Sequence, residues 1–235
     1  MCLIKTMFFI LSIITAQITF ATQETISPEI QTAIKTMALK HELFTQIDSC
    51  KTHINNTDYL NFFKYIWVMD NQLEFSVADA LILESPKESR TWYIVKSTLS
   101  SNAFNKKFNS KNKAQQISFC KTLWRDIKKS NFDVSKKLPS ESKLLREIFL
   151  ARGAQPNFIR DSNIRSGCAK GYYNNGDRDI ELIDLACNCF MDTLVAKGTS
   201  TEIDEWISSR NPSDITTLPW AKGLTEEVQH CAQQH

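Results

Sequence analysis

Two thiols separated by a single residue, at Cys187-Asn188-Cys189, carry the most evident chemistry in this chain of 235 residues. Thiolates can ligate soft metals such as zinc or Cu(I), attack as nucleophiles, or be oxidised to disulfides. Zinc sites ordinarily leave two or more residues between paired cysteines, so this spacing does not match them. Six cysteines follow residue 21, at Cys50, Cys120, Cys168, Cys187, Cys189 and Cys231. An even number behind an export leader reads as a disulfide framework. The surrounding stretch has helical periodicity, and each helical residue rotates by about 100°, so Cys187 and Cys189 point about 200° apart. They are expected to bond to different neighbours. The expected bridges are Cys50 with Cys120, and Cys168 and Cys231 each with one of Cys187 and Cys189. Either assignment in the second pair satisfies the sequence. No metal or other cofactor is expected.

Other constellations offer less. The chain has no Gly-x-Ser-x-Gly elbow, no His-Glu-x-x-His helix, no phosphate-binding glycine loop and no dinucleotide fingerprint. Its histidines, His41, His53, His230 and His235, are scattered. Acidic neighbours such as Asp177 with Asp179, or Glu226 with Glu227, could serve as general acid and base, but acids in a first helical turn or on a solvated face are the ordinary reading. Charge is uneven: residues 104–140 hold ten Lys or Arg against two acids, and residues 177–235 hold four against eleven. Within the basic stretch, Lys121, Arg125, Lys128 and Lys129 are the candidate anion-binding residues. The aromatic residues among them, such as Phe119 and Trp124, fall at core spacing with Cys120, which argues against nucleic acid.

These residues must be positioned by helices. An apolar run from Met7 to Phe20 follows Lys5, and Thr19 and Ala21 suit cleavage before Thr22, so residues 1–21 are expected to be a signal peptide. No other span is long and apolar enough to cross a membrane. Beyond the leader the apolar residues recur at three and four, and strand-like alternation is nearly absent. Ser27-Pro28-Glu29 starts a helix with Ile30, Ala33, Ile34 and Met37 on one face. Tyr59 to Trp67 reads as a second helix, and Ser76 with Asp79 as a cap before Ala80. Trp92, Val95 and Leu99 suggest another, and Ala114 to Ile127 one that buries Cys120. Leu144 to Phe149 repeats the pattern up to Gly153.

Gly153-Ala154-Gln155-Pro156 is the best internal boundary, dividing residues 22–153 from a cysteine-rich part at 154–235. In that part, residues 177–198 form the Cys-Asn-Cys helix. It is apolar on two sides and therefore expected to be central. Thr199 with Glu202 makes a capping box for a following helix, and Leu224, Val228 and Cys231 mark a last one. The expected fold is an all-α, multi-helix bundle of two helical subdomains stapled by disulfides.

The stretch Cys168-Ala169-Lys170-Gly171-Tyr172-Tyr173-Asn174-Asn175-Gly176-Asp177 resembles the Cys-x-Gly-Tyr-x-x-Gly segment of bacterial periplasmic immunity proteins, small helical disulfide proteins that neutralise toxic cell-wall amidases. The resemblance covers about ten residues, with one more residue before the glycine and without the family's later Cys-x-Pro. It transfers no site residues. Insect odorant-binding proteins also carry six cysteines on helices, but their close Cys-x-x-x-Cys pair is missing here. The expected function is that of an exported, periplasmic or secreted, disulfide-stabilised binding protein. Its expected partner is another protein, in an immunity-like or other interaction role, and an anionic envelope polymer is the further candidate for the basic stretch. The alternative is a hydrolase of cell-envelope polymers using carboxylates that the fold brings together.

Overall fold

The computed structural model describes residues 26–54, 57–129, 131–153, 157–209 and 212–233. The expected signal peptide and residues 154–156 of the expected boundary lie outside these. The described residues form an all-α bundle: α1 (Pro28–Cys50), α2 (Thr57–Asp70), α3 (Gln72–Glu84), α4 (Lys87–Asn109), α5 (Lys113–Lys128), a single turn α6 (Val134–Lys137), α7 (Pro139–Ala151), α8 (Phe158–Asn174), α9 (Ile180–Lys197), α10 (Ser200–Ser208) and α11 (Leu224–Gln233). Two 3-10 turns, Pro212–Thr217 and Pro219–Ala221, join α10 to α11.

Local chemistry explains several boundaries. Ser27 caps α1 by accepting from the Ile30 N–H at 3.3 Å, with Pro28 at the first helical position. Asn112 and Gln115 close a reciprocal capping box on α5, and Thr199 and Glu202 close another on α10. Gly153, at φ +71°, lies just beyond the end of α7, in the left-handed region that glycine enters without strain. The expected cap at Ser76 is not formed, because α3 begins at Gln72 and runs through it. Burial overrides the local signal: Leu73, Phe75, Val77, Ala78, Leu81 and Ile82 all enter the core. The preceding residue, Asn71, is turned to other work, donating to the Trp67 carbonyl at 2.8 Å and accepting from the Val134 N–H at 2.8 Å.

Among the described residues, the buried apolar side chains gather in three clusters. The largest joins α1 and α3 to α5 and α7 through residues such as Ile47, Ala78, Leu123 and Leu145. The second joins Phe62, Ile66 and Met69 of α2 to Ala169 and Tyr173 of α8 and to Ile183 and Cys187 of α9. Leu60 and Trp67, on the opposite face of α2, belong to the first cluster, so α2 is apolar on both sides. The third packs Met191 and Leu194 of α9 against Ile203, Ile215, Ala221 and Leu224.

Helix α9 differs from its expectation. Ile183, Cys187, Met191 and Leu194 are buried along one face, but Leu182 and Val195 are 62% and 53% exposed. On the far side Cys189 is buried at its bond to Cys231. The apolar stripe of α4 likewise faces outward, with Val95 and Leu99 at 49% and 63% exposure. Its packed face mixes Phe104 and Phe108, which join the largest core cluster, with polar contacts: Tyr93 bonds His41, Ser101 meets Thr45 at 3.0 Å, and Ser49 donates to Asn105 at 3.2 Å.

Three disulfides staple this arrangement. Cys50–Cys120 ties the end of α1 to α5, Cys168–Cys187 ties α8 to α9, and Cys189–Cys231 ties α9 to α11, with Cα separations of 5.4, 5.8 and 5.7 Å. The two thiols of Cys187-Asn188-Cys189 bond to different helices, as residues about 200° apart must. The choice left open by the sequence is made by position: α8 packs along the side of α9 that carries Cys187, and α11 along the side that carries Cys189.

Candidate functional site

Helix α8 contains two interior glycines, Gly167 and Gly171, one turn apart. An interior glycine costs a helix up to about 1 kcal/mol relative to alanine. Neither is demanded by internal packing, because a Cβ built on either would meet nothing within 4 Å. The space in front of them is a groove of about 950 Å3. Ile164 and Tyr172 of α8, Phe190 of α9, and Trp206 and Ile207 of α10 form its walls. Phe190 and Trp206 meet edge to face at 6.4 Å between ring centroids. Ile159, Tyr172 and Ile207, exposed by 41%, 37% and 38%, open onto the same groove.

The walls are held in place before any occupant arrives. Cys168, itself in the lining, is bonded to Cys187 and fixes α8 on α9. Arg160 fixes α8 on α10: its Nη1 donates to Ser200 Oγ at 2.9 Å and to Asp204 Oδ1 at 3.2 Å, while its Nε donates to Asp161 Oδ1 at 2.8 Å. Arg160 is also the one charged side chain among the described lining residues, and these contacts commit its charge. Asn163 and Asn175 add uncharged polar groups. The groove can therefore take an apolar, uncharged surface, and its described lining residues offer neither a carboxylate nor a free thiol for covalent or acid-base chemistry.

A second cavity, of about 650 Å3, lies among α1, α2, α3, α8 and α9. Asp79 and Asp184 both line it. Asp184 accepts from the Tyr65 hydroxyl at 2.6 Å and from the Asn188 amide at 3.1 Å. Burial and then the adjacent carboxylate hold the Tyr65 phenol well above its ordinary pKa.

The sequence-selected acids are elsewhere. Asp179 caps α9 by accepting from the N–H groups of Glu181 and Leu182 at 3.0 and 3.3 Å, and Glu227 pairs with Lys197 at 2.7 Å. Lys121, Arg125, Lys128 and Lys129 are exposed on and just beyond α5, opposite its buried Cys120, Leu123 and Ile127. Lys128 Nζ lies 4.9 Å from the Trp124 ring centre, and Arg125 Nε is 3.8 Å from Asp126. Among the described residues, no His, Cys, Asp and Glu group has the makings of a metal site.

Sequence reasoning did not find the groove. Gly167-x-x-x-Gly171 inside a helical stretch was the available signal, since two of the six glycines fall in one helix interior. Phe190, Trp206 and Ile207 carry no comparable mark. Compared with known proteins, this chain matches no family model, no curated protein and no solved structure.

Proposed function

We propose that this is an exported, disulfide-stabilised binding protein that receives an apolar segment of another protein in the groove between α8 and α10. The observation that carries this reading is a preformed groove, its one described charge at Arg160 already paired, into which three exposed large apolar side chains open. Isolated exposed hydrophobic residues are ordinary, but several converging on rigid walls suit recognition. Three disulfides support an oxidising compartment, either periplasmic or extracellular. No described helix is long and apolar enough to cross a membrane. Neutralisation of a toxin, the role of the immunity proteins that residues 168–177 resemble, is one function of this kind.

The experiment is a comparative capture from the native envelope. Wild-type protein should retain a partner that Gly167→Leu, with the groove floor filled, does not. Lys128→Glu with Lys129→Glu should retain that partner while losing salt-sensitive retention on an anionic envelope polymer, the secondary contact proposed for α5. Equal capture by wild type and a folded Gly167→Leu would reject the groove. The second reading, a carboxylate-dependent hydrolase of envelope polymers, draws on Asp79 and Asp184 in the other cavity. Asp184 is committed to Tyr65 and Asn188, so binding is preferred. Polymer cleavage that is abolished by Asp79→Asn would reverse that preference.

A further inference from the structure

The second cavity has features that partner recognition at the groove does not use. Its floor is apolar and comes from three helices, with Met37 and Phe44 on α1, Val68 and Met69 on α2, and Phe75 on α3. Three cations from three helices also line it: Lys40 of α1, Lys64 of α2 and Arg165 of α8. Lys64 is engaged by Asp48 at 2.6 Å. Lys40 and Arg165 make no ion pair among the described residues, although Lys40 Nζ stands 5.2 Å from the Phe75 ring centre. The Nε of Arg165 is buried without a hydrogen-bond partner among the described residues. A buried guanidinium N–H that has given up water and gained no acceptor is a cost that native structures rarely carry without a reason.

The charges define the occupant. Among the described lining residues, Lys40, Lys64 and Arg165 stand against two carboxylates, Asp79 and Asp184; the Tyr65 and Asn188 donors on Asp184 are neutral and leave its charge in place. Three cations against two carboxylates leave an excess of one positive charge, which Asp48 does not cancel because it is shared between Lys64 at 2.6 Å and Lys51 at 2.8 Å. A carboxylate supplies the one negative charge required, and its two oxygens suit the donor fork of arginine. The Met and Phe floor then needs an apolar body attached to that carboxylate. A volume of about 650 Å3 lies within the usual range of about 300–1,000 Å3 for small-molecule sites. We propose that this cavity binds a small monocarboxylate with an apolar body, its carboxylate held by Arg165 and Lys40 and its chain lying on Met37, Met69 and Phe75. Inorganic phosphate would leave the apolar floor uncovered and bring excess negative charge, so it is not the ligand class.

Calorimetry on the mature protein with decanoate, decanol and inorganic phosphate tests this, with decanoate kept below its micelle concentration. Saturable decanoate binding is expected, at least tenfold tighter than decanol, with no response to phosphate. Arg165→Met and Lys40→Met should each weaken decanoate by tenfold or more. The Arg165 Nε–H resonance of 15N-arginine-labelled wild-type protein should shift on titration, a readout that survives if Arg165→Met fails to fold. Gly167→Leu should leave decanoate affinity unchanged, which separates this site from the groove. The proposal is overturned if decanoate fails to bind, if decanol binds equally well, if Lys40→Met leaves decanoate affinity unchanged, or if Gly167→Leu alone abolishes binding.

Discussion

At the scale of single residues, a few buried polar groups decide measurable amounts of stability. Thr36 is fully buried, and its Oγ1 lacks a hydrogen-bond partner among the described residues. Valine has nearly the same shape without the hydroxyl, so Thr36→Val should raise stability by about 1 kcal/mol in urea denaturation. Glu74, only 2% exposed, shows the contrary case. Its Oε1 accepts from Ser142 Oγ at 2.8 Å and from Arg146 Nε at 2.9 Å, and so ties α3 to α7. His41 couples stability to pH. Burial first, and Lys40 second, lower its pKa below the ordinary 6.5. A group depressed in this way favours the folded state above its unfolded value, and that contribution is lost as pH falls through the folded one. Stability should therefore decline as pH drops below about 6.5, and His41→Gln should flatten that part of the profile.

At the scale of elements, the glycines separate packing from recognition. A Cβ at Gly198 would stand 2.7 and 2.9 Å from carbons of the Trp220 ring, so the turn between α9 and α10 requires glycine. Gly198→Ala should cost about 1–3 kcal/mol by forcing that ring outward. Gly167 and Gly171 meet nothing within 4 Å, and alanine at both should raise stability by about 1–2 kcal/mol in total through helix propensity. Opposite signs in thermal melts of the two sets would establish that the α8 glycines serve something outside the fold; a loss of stability in the α8 pair would refute it. Capping chemistry made the starts of α1 and α10 readable, since each depends on residues within four positions. The start of α3 was not readable, because burial of its own apolar residues outweighed a cap-like Ser76.

At the scale of the molecule, disulfides and shared clusters set how the chain unfolds. Cys50–Cys120 closes a separation of 70 residues, against 42 for Cys189–Cys231 and 19 for Cys168–Cys187. Chain entropy alone then assigns about 4 kcal/mol to each of the first two and about 3 to the last. Replacing Cys50 and Cys120 by alanine together should lower stability by about that amount. The second apolar cluster joins residues on both sides of Gly153, with Phe62 and Ile66 from one side and Tyr173 and Ile183 from the other. Urea unfolding with all bridges intact should therefore be a single transition when followed by far-UV and near-UV circular dichroism. Two separated transitions would instead support independent subdomains at 22–153 and 154–235.

Helix content, the starts of α1 and α10, the pairing of Cys50 with Cys120 and the outward divergence of Cys187 from Cys189 could all be read from the sequence. The Cys50–Cys120 pairing follows because these are the two cysteines between the expected signal peptide and Gly153; the others rest on periodicity, capping or bond geometry along a short stretch of chain. The division of Cys168 and Cys231 between those two cysteines was settled only when α8 and α11 took opposite sides of α9. The same packing makes α2 two-faced, turns the apolar stripe of α4 outward, and leaves Leu182 in solvent. Both cavities belong to this second class. Gly167 and Trp206 lie 39 positions apart in the chain, and Lys40 and Arg165 lie 125 apart, yet each pair lines one cavity. No local pattern encodes such a meeting, because it depends on the crossing of helices that pack through contacts remote in sequence.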